Sequence, residues 1–217
     1  MIPTWVRVVI AVLTLALMAL ALWAYTLARP LEPMTLTPAP AAAGTPQAAE
    51  GAPAIGGPFT LTDDAGKTVT EATLANGRYH LIFFGFTHCP DICPGMLQLM
   101  AGVEGLVTPT VRDKLQFVFV SVDPTRDTLA KLGEYVRGFS PRFVGWTGDK
   151  ANIDTMVKNY LAYYAIKPAE DPKAPDVYMV DHSGFAYLMG PDGRYVAHFR
   201  SSDSATSLKE NLERYVK

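Results

Sequence analysis

The two cysteines of the chain lie close together, in residues 83–94 with the sequence Phe-Phe-Gly-Phe-Thr-His-Cys-Pro-Asp-Ile-Cys-Pro. Both Cys89 and Cys93 precede a proline, and a residue before proline is disfavoured in the α region. Because an apolar run at 81–84 indicates a buried strand, we expect both cysteines on the turn between a strand and a helix. Pro94 suits the first helical position, which would place Cys93 at or near the N-cap. A helix N-terminus favours the thiolate form, so the stretch predicts two partly ionised sulfurs.

Three residues separate the cysteines, one more than in thioredoxin-type redox motifs. Positions four apart on a helix have Cβ atoms about 5–6 Å apart, whereas a disulfide requires about 3.5–4.5 Å. The spacing therefore permits a disulfide only with an adapted turn, and it suits two thiolates that share a metal ion. Two sulfurs alone do not predict a structural zinc site, which almost always has four protein ligands. A structural disulfide remains an open alternative at this point.

The chain has four histidines that could complete a metal site. His80 and His198 fall within predicted strands, which indicates structural roles. His88 adjoins the first cysteine and would be strained as a ligand of the same ion, so we expect it to tune that thiol. His182 follows Asp181 in a predicted loop, where sites tend to be built, and its position alone favours neither role. Two thiolates and one imidazole would form a soft donor set suited to copper.

An apolar segment, residues 8–27, lies near the amino terminus and has two threonines as its only polar members. Twenty such residues span the hydrocarbon core of a bilayer as a helix. Trp5 and Trp23 fall where interfacial aromatic residues are expected. A cleaved signal peptide is the alternative, because Ala-Leu-Ala at 19–21 resembles a cleavage site. Since the apolar run continues past that site, we predict an uncleaved membrane anchor over residues 1–28, followed by an exported domain.

Residues 29–57 are rich in proline and alanine without periodicity, which predicts an extended linker. Residues 58–217 are then long enough to form one domain with a single packed core. The whole chain carries 19 Lys+Arg and 21 Asp+Glu, a net charge of −2. This near balance and the lack of a basic run argue against a nucleic-acid partner.

The domain alternates between strand and helix patterns. The predicted elements are a hairpin over 59–70, a strand over 79–84, a helix over 94–107, a buried strand over 115–122, a helix to about 139 capped by Asp127 or Thr128, a short strand over 143–147, a helix to about 159 capped by Asp149, an extended stretch over 160–166, a strand pair over 185–199, and a last helix begun by Ser202 or Ser204. This order predicts an α/β, thioredoxin-like fold, with the cysteine turn at the carboxyl end of a strand, where such sheets place their sites.

Several separate motifs in the chain resemble, in the same order, the Sco/SenC family of copper proteins. The motifs are Gly-Pro-Phe at 57–59, Gly-Phe-Thr-His-Cys-Pro-Asp-Ile-Cys-Pro at 85–94, Ser-Val-Asp-Pro-Thr-Arg-Asp-Thr at 121–128, Asp-His-Ser at 181–183, Tyr-Leu-Met at 187–189 and Pro-Asp-Gly at 191–193. The resemblance covers about residues 57–199, and the predicted anchor and linker fit it as well. It implies a thioredoxin-like domain tethered to a membrane.

The resemblance also implies a ligand set. Cys89, Cys93 and His182 would bind one copper ion, as Cu(I) or Cu(II), and the two cysteines could form a redox-active disulfide. Asp181 would orient the neighbouring histidine or its loop, and His88 would tune Cys89. These roles are expectations for the structure to test.

The function implied by the resemblance is a copper metallochaperone that delivers copper to the dinuclear copper centre of cytochrome c oxidase subunit II. The alternative is a thiol–disulfide reductase that keeps the oxidase's copper-ligand cysteines reduced, and a peroxidase of the same fold is a weaker third. Further candidate partners are other periplasmic copper chaperones and thioredoxin-like reductants. The expected location is the inner (plasma) membrane, with a single pass and a periplasmic domain. For Asp123, in the Asp-Pro motif, we expect capping and loop hydrogen bonds.

Overall fold

The structure is a computed structural model that describes residues 54–217 and, before them, positions 3, 5, 14, 17–20, 22 and 23. Most of the predicted anchor and most of the predicted linker lie outside the described residues, so both remain predictions. Within the described part of the chain, none of the helices is both long enough and apolar enough to cross a bilayer.

The contacts of the chain divide it into two units, Met1–Thr45 and Pro46–Lys217. In the first unit, the described positions from 5 onward are helical. The elements of the second unit are β1 (Thr60–Asp63), β2 (Thr68–Thr70), α1 (Glu71–Leu74), β3 (Tyr79–Gly85), α2 (Ile92–Leu106), α3 (Pro109–Lys114), β4 (Leu115–Ser121), α4 (Leu129–Arg137), β5 (Val144–Thr147), α5 (Lys150–Asn159), β6 (Tyr164–Ile166), β7 (Val180–His182), β8 (Phe185–Met189), β9 (Tyr195–Arg200) and α6 (Ala205–Tyr215).

A mixed sheet of seven strands, in the order β2-β1-β5-β4-β3-β8-β9, forms the centre of the second unit. Strands β3, β4 and β5 pair in parallel, and the strands that flank them pair antiparallel. Strands β6 and β7 form a separate antiparallel pair. This arrangement confirms the predicted α/β class, and the hairpins of β1 with β2 and of β8 with β9 are confirmed as well.

Alternate residues of β3 enter two different cores, because successive side chains of a strand point to opposite faces of the sheet. Leu81 and Phe83 pack with apolar residues of α2, α4 and α6. Ile82 and Phe84 pack with α1, α5 and strand β1. A strand buried on both faces is apolar throughout, which explains the unbroken run that the sequence shows here. The carboxyl end of β3 is thus held from both sides.

The helix after the cysteine turn begins earlier than predicted. Its N-cap is Asp91, so Ile92 is the first helical residue and Pro94 the third. Cys93 was predicted at or near the cap; it lies two residues past it, inside the first turn, and only Cys89 remains on the connecting turn. The first four N–H groups of a helix have no intrahelical acceptor, so a proline at the third position removes no hydrogen bond.

His80 of β3 is 2% exposed, and its Nδ1 has no hydrogen-bond partner among the described residues. Burial, with a contribution from the nearby cation of Arg78, lowers the pKa of its imidazole from 6.5 to about 4. The unfolded chain therefore takes up this proton first as the pH falls, and stability is lost between about pH 6.5 and pH 4. We expect the free energy of unfolding in urea to drop by about 2–3 kcal/mol on this account between pH 7 and pH 4.5.

His80→Gln is expected to remove this share of the pH dependence, whatever it does to stability at pH 7. The control is His198→Gln, the same substitution at an exposed histidine. An identical slope in wild type and His80→Gln would contradict the assignment.

Candidate metal centre

The three predicted ligands meet beyond the carboxyl end of β3. Nε2 of His182 lies 3.2 Å from Sγ of Cys93 and 3.7 Å from Sγ of Cys89. The ligand atoms of the three residues all lie within 4.8 Å of one another. The fold thus brings the imidazole to the sulfurs although His182 is 89 residues from the nearer cysteine in sequence.

The two cysteines differ in position and in exposure. Cys89 is half-buried on the turn, where its N–H donates to the carbonyl of Phe86 at 3.2 Å. Cys93 is fully buried in the first turn of α2, and its N–H donates to Sγ of Cys89 at 3.4 Å. Both cysteines are free thiols in this structure. The first turn of the helix therefore places one sulfur in the core and directs a backbone donor at the other.

Gly85 provides the space that the buried sulfur occupies. A Cβ atom on Gly85 would lie 2.4 Å from Sγ of Cys93 and 2.8 Å from Cε2 of Phe119. Atoms cannot approach this closely, so a side chain at this position would displace the sulfur or the phenylalanine ring. Gly85, the last residue of β3, therefore leaves room for Sγ of Cys93 because it has no side chain.

His182 is the last residue of β7, where it pairs with Tyr164 of β6. The prediction that it lies in a loop is therefore wrong. The rings of Phe83 and Phe86 each contact its imidazole edge-on, with centroids 5.8 Å away. Nδ1 lies 3.1 Å from the carbonyl oxygen of Ser183. A proton on Nδ1 donates to that carbonyl, which leaves the lone pair of Nε2 facing the two sulfurs.

The two predicted supporting residues contact other groups. The carboxylate of Asp181 is exposed and pairs with Nζ of Lys167 at 2.7 Å, and Nδ1 of the imidazole lies against the carbonyl of Ser183. The expectation that Asp181 orients His182 or its loop stays a prediction. The ring of His88 is half-exposed, with Nδ1 3.1 Å from Oγ1 of Thr87 and 3.5 Å from Oδ1 of a buried aspartate. The expected tuning of the Cys89 thiol by His88 stays a prediction.

The electrostatics of the two thiols are opposite. The hydrogen bond donated by the Cys93 thiol is the largest cause that lowers the pKa of Cys89, to about 4. Burial, together with the neighbouring Cys89 thiolate, raises the pKa of Cys93 far above its ordinary range. In the metal-free protein at neutral pH, Cys89 is therefore a thiolate and Cys93 a thiol that donates to it.

This asymmetry predicts how the metal-free, reduced protein reacts with iodoacetamide. Cys89 is expected to react at a rate that is nearly constant between pH 6 and pH 8, since its thiol is already ionised across that range. A thiol of ordinary pKa, about 8.5, would speed up by nearly 100-fold over the same interval. Cys93 is expected to stay unmodified while the protein is folded. Peptide mapping by mass spectrometry distinguishes the two residues, with glutathione as the ordinary thiol. A rise of tenfold per pH unit at Cys89 would contradict the assignment.

Two buried acids beside the site were not predicted as site residues. Asp123 and Asp127 both have fully buried side chains on the loop after β4. Asp127 was expected as a candidate helix cap, but the side chain of Thr128 accepts the capping hydrogen bond from the N–H of Lys131. Asp123 does form the loop hydrogen bonds expected of it, to Arg126 and Tyr178. The sequence does contain a pattern that could have indicated these two acids. They flank Pro-Thr-Arg directly after the apolar strand β4.

Taken together, the fold and the site define a thioredoxin-like α/β domain with a cluster of two cysteines and one histidine that could hold a metal ion. Residues 47–217 match the model of the SCO1/SenC family. The chain belongs to the SCO1/SenC family.

The chain is similar to human SCO1 homolog, mitochondrial, with 38% identity over 172 residues, which is 77% of this chain and 56% of the human protein. It likewise covers 62% of the Schizosaccharomyces pombe protein sco1, at 38% identity. The chain therefore spans rather more than half the length of these curated relatives.

Solved structures of the family give the same fold. The structure of Bradyrhizobium japonicum ScoI with copper bound has 41% identity and a TM-score of 0.66, over 75% of this chain and 99% of that one. The crystal structure of Arabidopsis thaliana ScoI with copper bound has 38% identity and a TM-score of 0.66, over 74% and 97%. A structure of BsSco is described as identifying a disulfide switch in a member of the Sco family of cytochrome c oxidase assembly proteins. At 20% identity and a TM-score of 0.55, its likeness shows the fold alone.

Proposed function

We propose that Cys89, Cys93 and His182 bind one copper ion, and that the protein is a metallochaperone for the dinuclear copper centre of cytochrome c oxidase subunit II. The observation that supports it is the cluster of two sulfurs and one imidazole nitrogen within 4.8 Å. Sco family proteins take part in copper binding and cytochrome c oxidase assembly, and two similar structures hold copper. The ligand cluster and the copper-bound relatives both support copper as the metal.

The donor set suits copper that must be passed on. Thiolates favour Cu(I), and an imidazole serves either oxidation state. With three protein ligands, a position stays open for a thiolate or imidazole of the acceptor. Transfer then proceeds by ligand exchange, in which the acceptor's ligand binds before one of the three leaves.

The proposal includes a location and an orientation. The anchor predicted for residues 1–28 would hold the domain at the inner (plasma) membrane by a single pass, with the domain on the periplasmic side. The linker over residues 29–57 would let the domain reach an acceptor embedded in the same membrane. Copper would come from other periplasmic copper chaperones, and thioredoxin-like reductants would keep the two cysteines reduced.

The ionised Cys89 and the buried Cys93 favour a second candidate function, that of a thiol–disulfide reductase. The Cys89 thiolate would attack a disulfide of the oxidase's copper-ligand cysteines and form a mixed disulfide. Cys93 would then lose its proton and displace the reduced target, leaving a Cys89–Cys93 disulfide. This route uses both sulfurs and has no need of the imidazole of His182 as a ligand.

An anaerobic copper titration of the reduced protein separates the two functions. Visible absorption and EPR would follow wild type, Cys89→Ser and His182→Ala, with the exposed His198→Ala as a matched control. The metallochaperone predicts one copper per chain with thiolate-to-copper charge transfer. Its affinity should fall in His182→Ala by more than the about 10–100-fold typical of a lost supporting residue. Copper binding that His182→Ala leaves unchanged, with a readily cycled disulfide, would favour the reductase.

A further inference from the structure

The loop after β4 contacts both segments that contain the candidate ligands. We call residues 122–128 the bracing loop. In the sheet, Gly85 at the end of β3 pairs with Ser121 at the end of β4, so the two chains leave the sheet at the same level. The N–H of Val122 still donates to the carbonyl of Gly85 at 2.9 Å. The cysteine turn and the bracing loop therefore start side by side.

One end of the bracing loop holds the cysteine turn. The carboxylate of Asp127 accepts from the backbone N–H of Thr87 at 2.9 Å and from its hydroxyl at 2.6 Å. The hydroxyl of Ser121 donates to the same carboxylate at 2.6 Å. Thr87 lies two residues before Cys89, so these hydrogen bonds fix the backbone that leads into the first ligand.

The other end holds the segment that leads into His182. The Asp123 carboxylate pairs with Nε of Arg126 at 2.5 Å and accepts from the hydroxyl of Tyr178 at 2.7 Å. The Arg126 guanidinium stacks on the Tyr178 ring, 3.5 Å from its centroid, and donates to the carbonyls of Tyr178 and Asp176. This segment ends two residues before β7 begins at Val180, and β7 ends at His182.

Burying each carboxylate costs desolvation free energy, because the buried group must replace its lost hydration with hydrogen bonds. Asp127 achieves this with three donors, and Asp123 with one cation and one hydroxyl. Directional hydrogen bonds of this kind fix distances and angles, whereas apolar contacts would hold the segments with less precision. The arrangement therefore suits positioning better than stability alone.

We propose that the bracing loop sets the position of the two ligand segments relative to each other, with Asp127 and Asp123 as positioning residues. Asp127 acts on the cysteine turn, and Asp123, through Arg126 and Tyr178, acts on the strand of His182. The inference rests on the proposed function in that copper is the ligand whose site is positioned. The claim that the loop fixes the two segments concerns the metal-free protein and is tested separately.

The experiment uses the full-length, reduced protein with one mild and one stronger variant for each side. Thr87→Val and Asp127→Asn loosen the cysteine side, and Tyr178→Phe and Asp123→Asn loosen the histidine side. Asp113→Asn, whose carboxylate is 71% exposed, is the matched control. The readouts are hydrogen–deuterium exchange of the metal-free protein, copper affinity by competition, and the EPR and charge-transfer spectra of the copper-loaded protein.

We expect faster exchange confined to residues 86–93 in the cysteine-side variants and to residues 176–183 in the histidine-side variants. Copper affinity should fall by about 10–100-fold, the usual effect of losing residues that support metal ligands. The spectra of the histidine-side variants should shift toward the spectrum of His182→Ala, and those of the cysteine-side variants should not. The mild variants keep the test informative where an aspartate variant fails to fold.

Unchanged local exchange in both mild variants, or exchange that rises evenly over the domain, would overturn the inference. So would a wild-type copper spectrum that all four variants retain. A wild type that binds no copper would instead overturn the proposed function, and the exchange data on the metal-free protein would still decide whether the loop positions the two segments.

Discussion

Replacing Gly85 with alanine is expected to disrupt the site strongly, because the added methyl group would lie directly against a candidate ligand sulfur. The new Cβ would meet Sγ of Cys93 at 2.4 Å and the ring of Phe119 at 2.8 Å. Both neighbours are fully buried, so neither can move into solvent. Overpacking of this kind costs about 1–3 kcal/mol of stability. Because the displaced atom is itself a candidate ligand, we expect copper affinity to fall toward the upper end of the about 10–100-fold range typical of lost supporting residues.

The matched control is Gly95→Ala, in the first turns of α2. A Cβ on Gly95 meets nothing within 4 Å, and alanine favours the helix by about 0.5–1 kcal/mol. Urea unfolding and copper competition on both variants give the comparison. If Gly85→Ala bound copper as tightly as Gly95→Ala, the sulfur would not depend on the space that the glycine leaves.

Replacing Cys93 with alanine is expected to separate copper binding from folding. Removal of one fully buried sulfur should cost about 1 kcal/mol of stability, similar to removal of a small buried group elsewhere. Copper binding should be lost at stoichiometric concentrations, since one of three ligands is gone. The pKa of Cys89 should rise toward its ordinary value, because the hydrogen bond from Cys93 is the largest cause of its depression. The pH dependence of alkylation measures that rise.

Val103→Ala is the control for packing, since Val103 is also fully buried on α2. It should lose comparable stability and keep both copper binding and a constant alkylation rate. A Cys93→Ala variant that still bound copper with thiolate charge transfer would exclude Cys93 from the ligand set.

The apolar runs predicted β3 and β4 because both strands are buried on both faces, and the helix caps at Thr128 and Asp149 followed from local hydrogen bonding. The start of α2 was missed because two local preferences compete at Cys93. Proline disfavours helix at the residue before it, yet the first turn tolerates a missing N–H.

The surroundings of His182 could not be predicted because they arise from pairing between distant segments. Strand β7 exists through its register with β6, in which Tyr164 faces His182. The ion pair of Asp181 with Lys167 likewise joins β7 to a residue that follows β6 and has no local signature in the sequence. The contact between Arg126 and Tyr178 joins residues 52 apart and has no local signature.

On the proposed function, the unequal burial of the two sulfurs would set the order in which the copper bonds break during transfer. Sγ of Cys93 is enclosed by the core, and Cys89 is half-exposed. On the proposed function, an acceptor's ligand approaches from the side of Cys89, so the bond to Cys93 is the last to break. Exchange is then associative, and its rate rises with acceptor concentration. Copper consequently stays bound until the acceptor has already docked, which keeps the free ion out of the surrounding solvent.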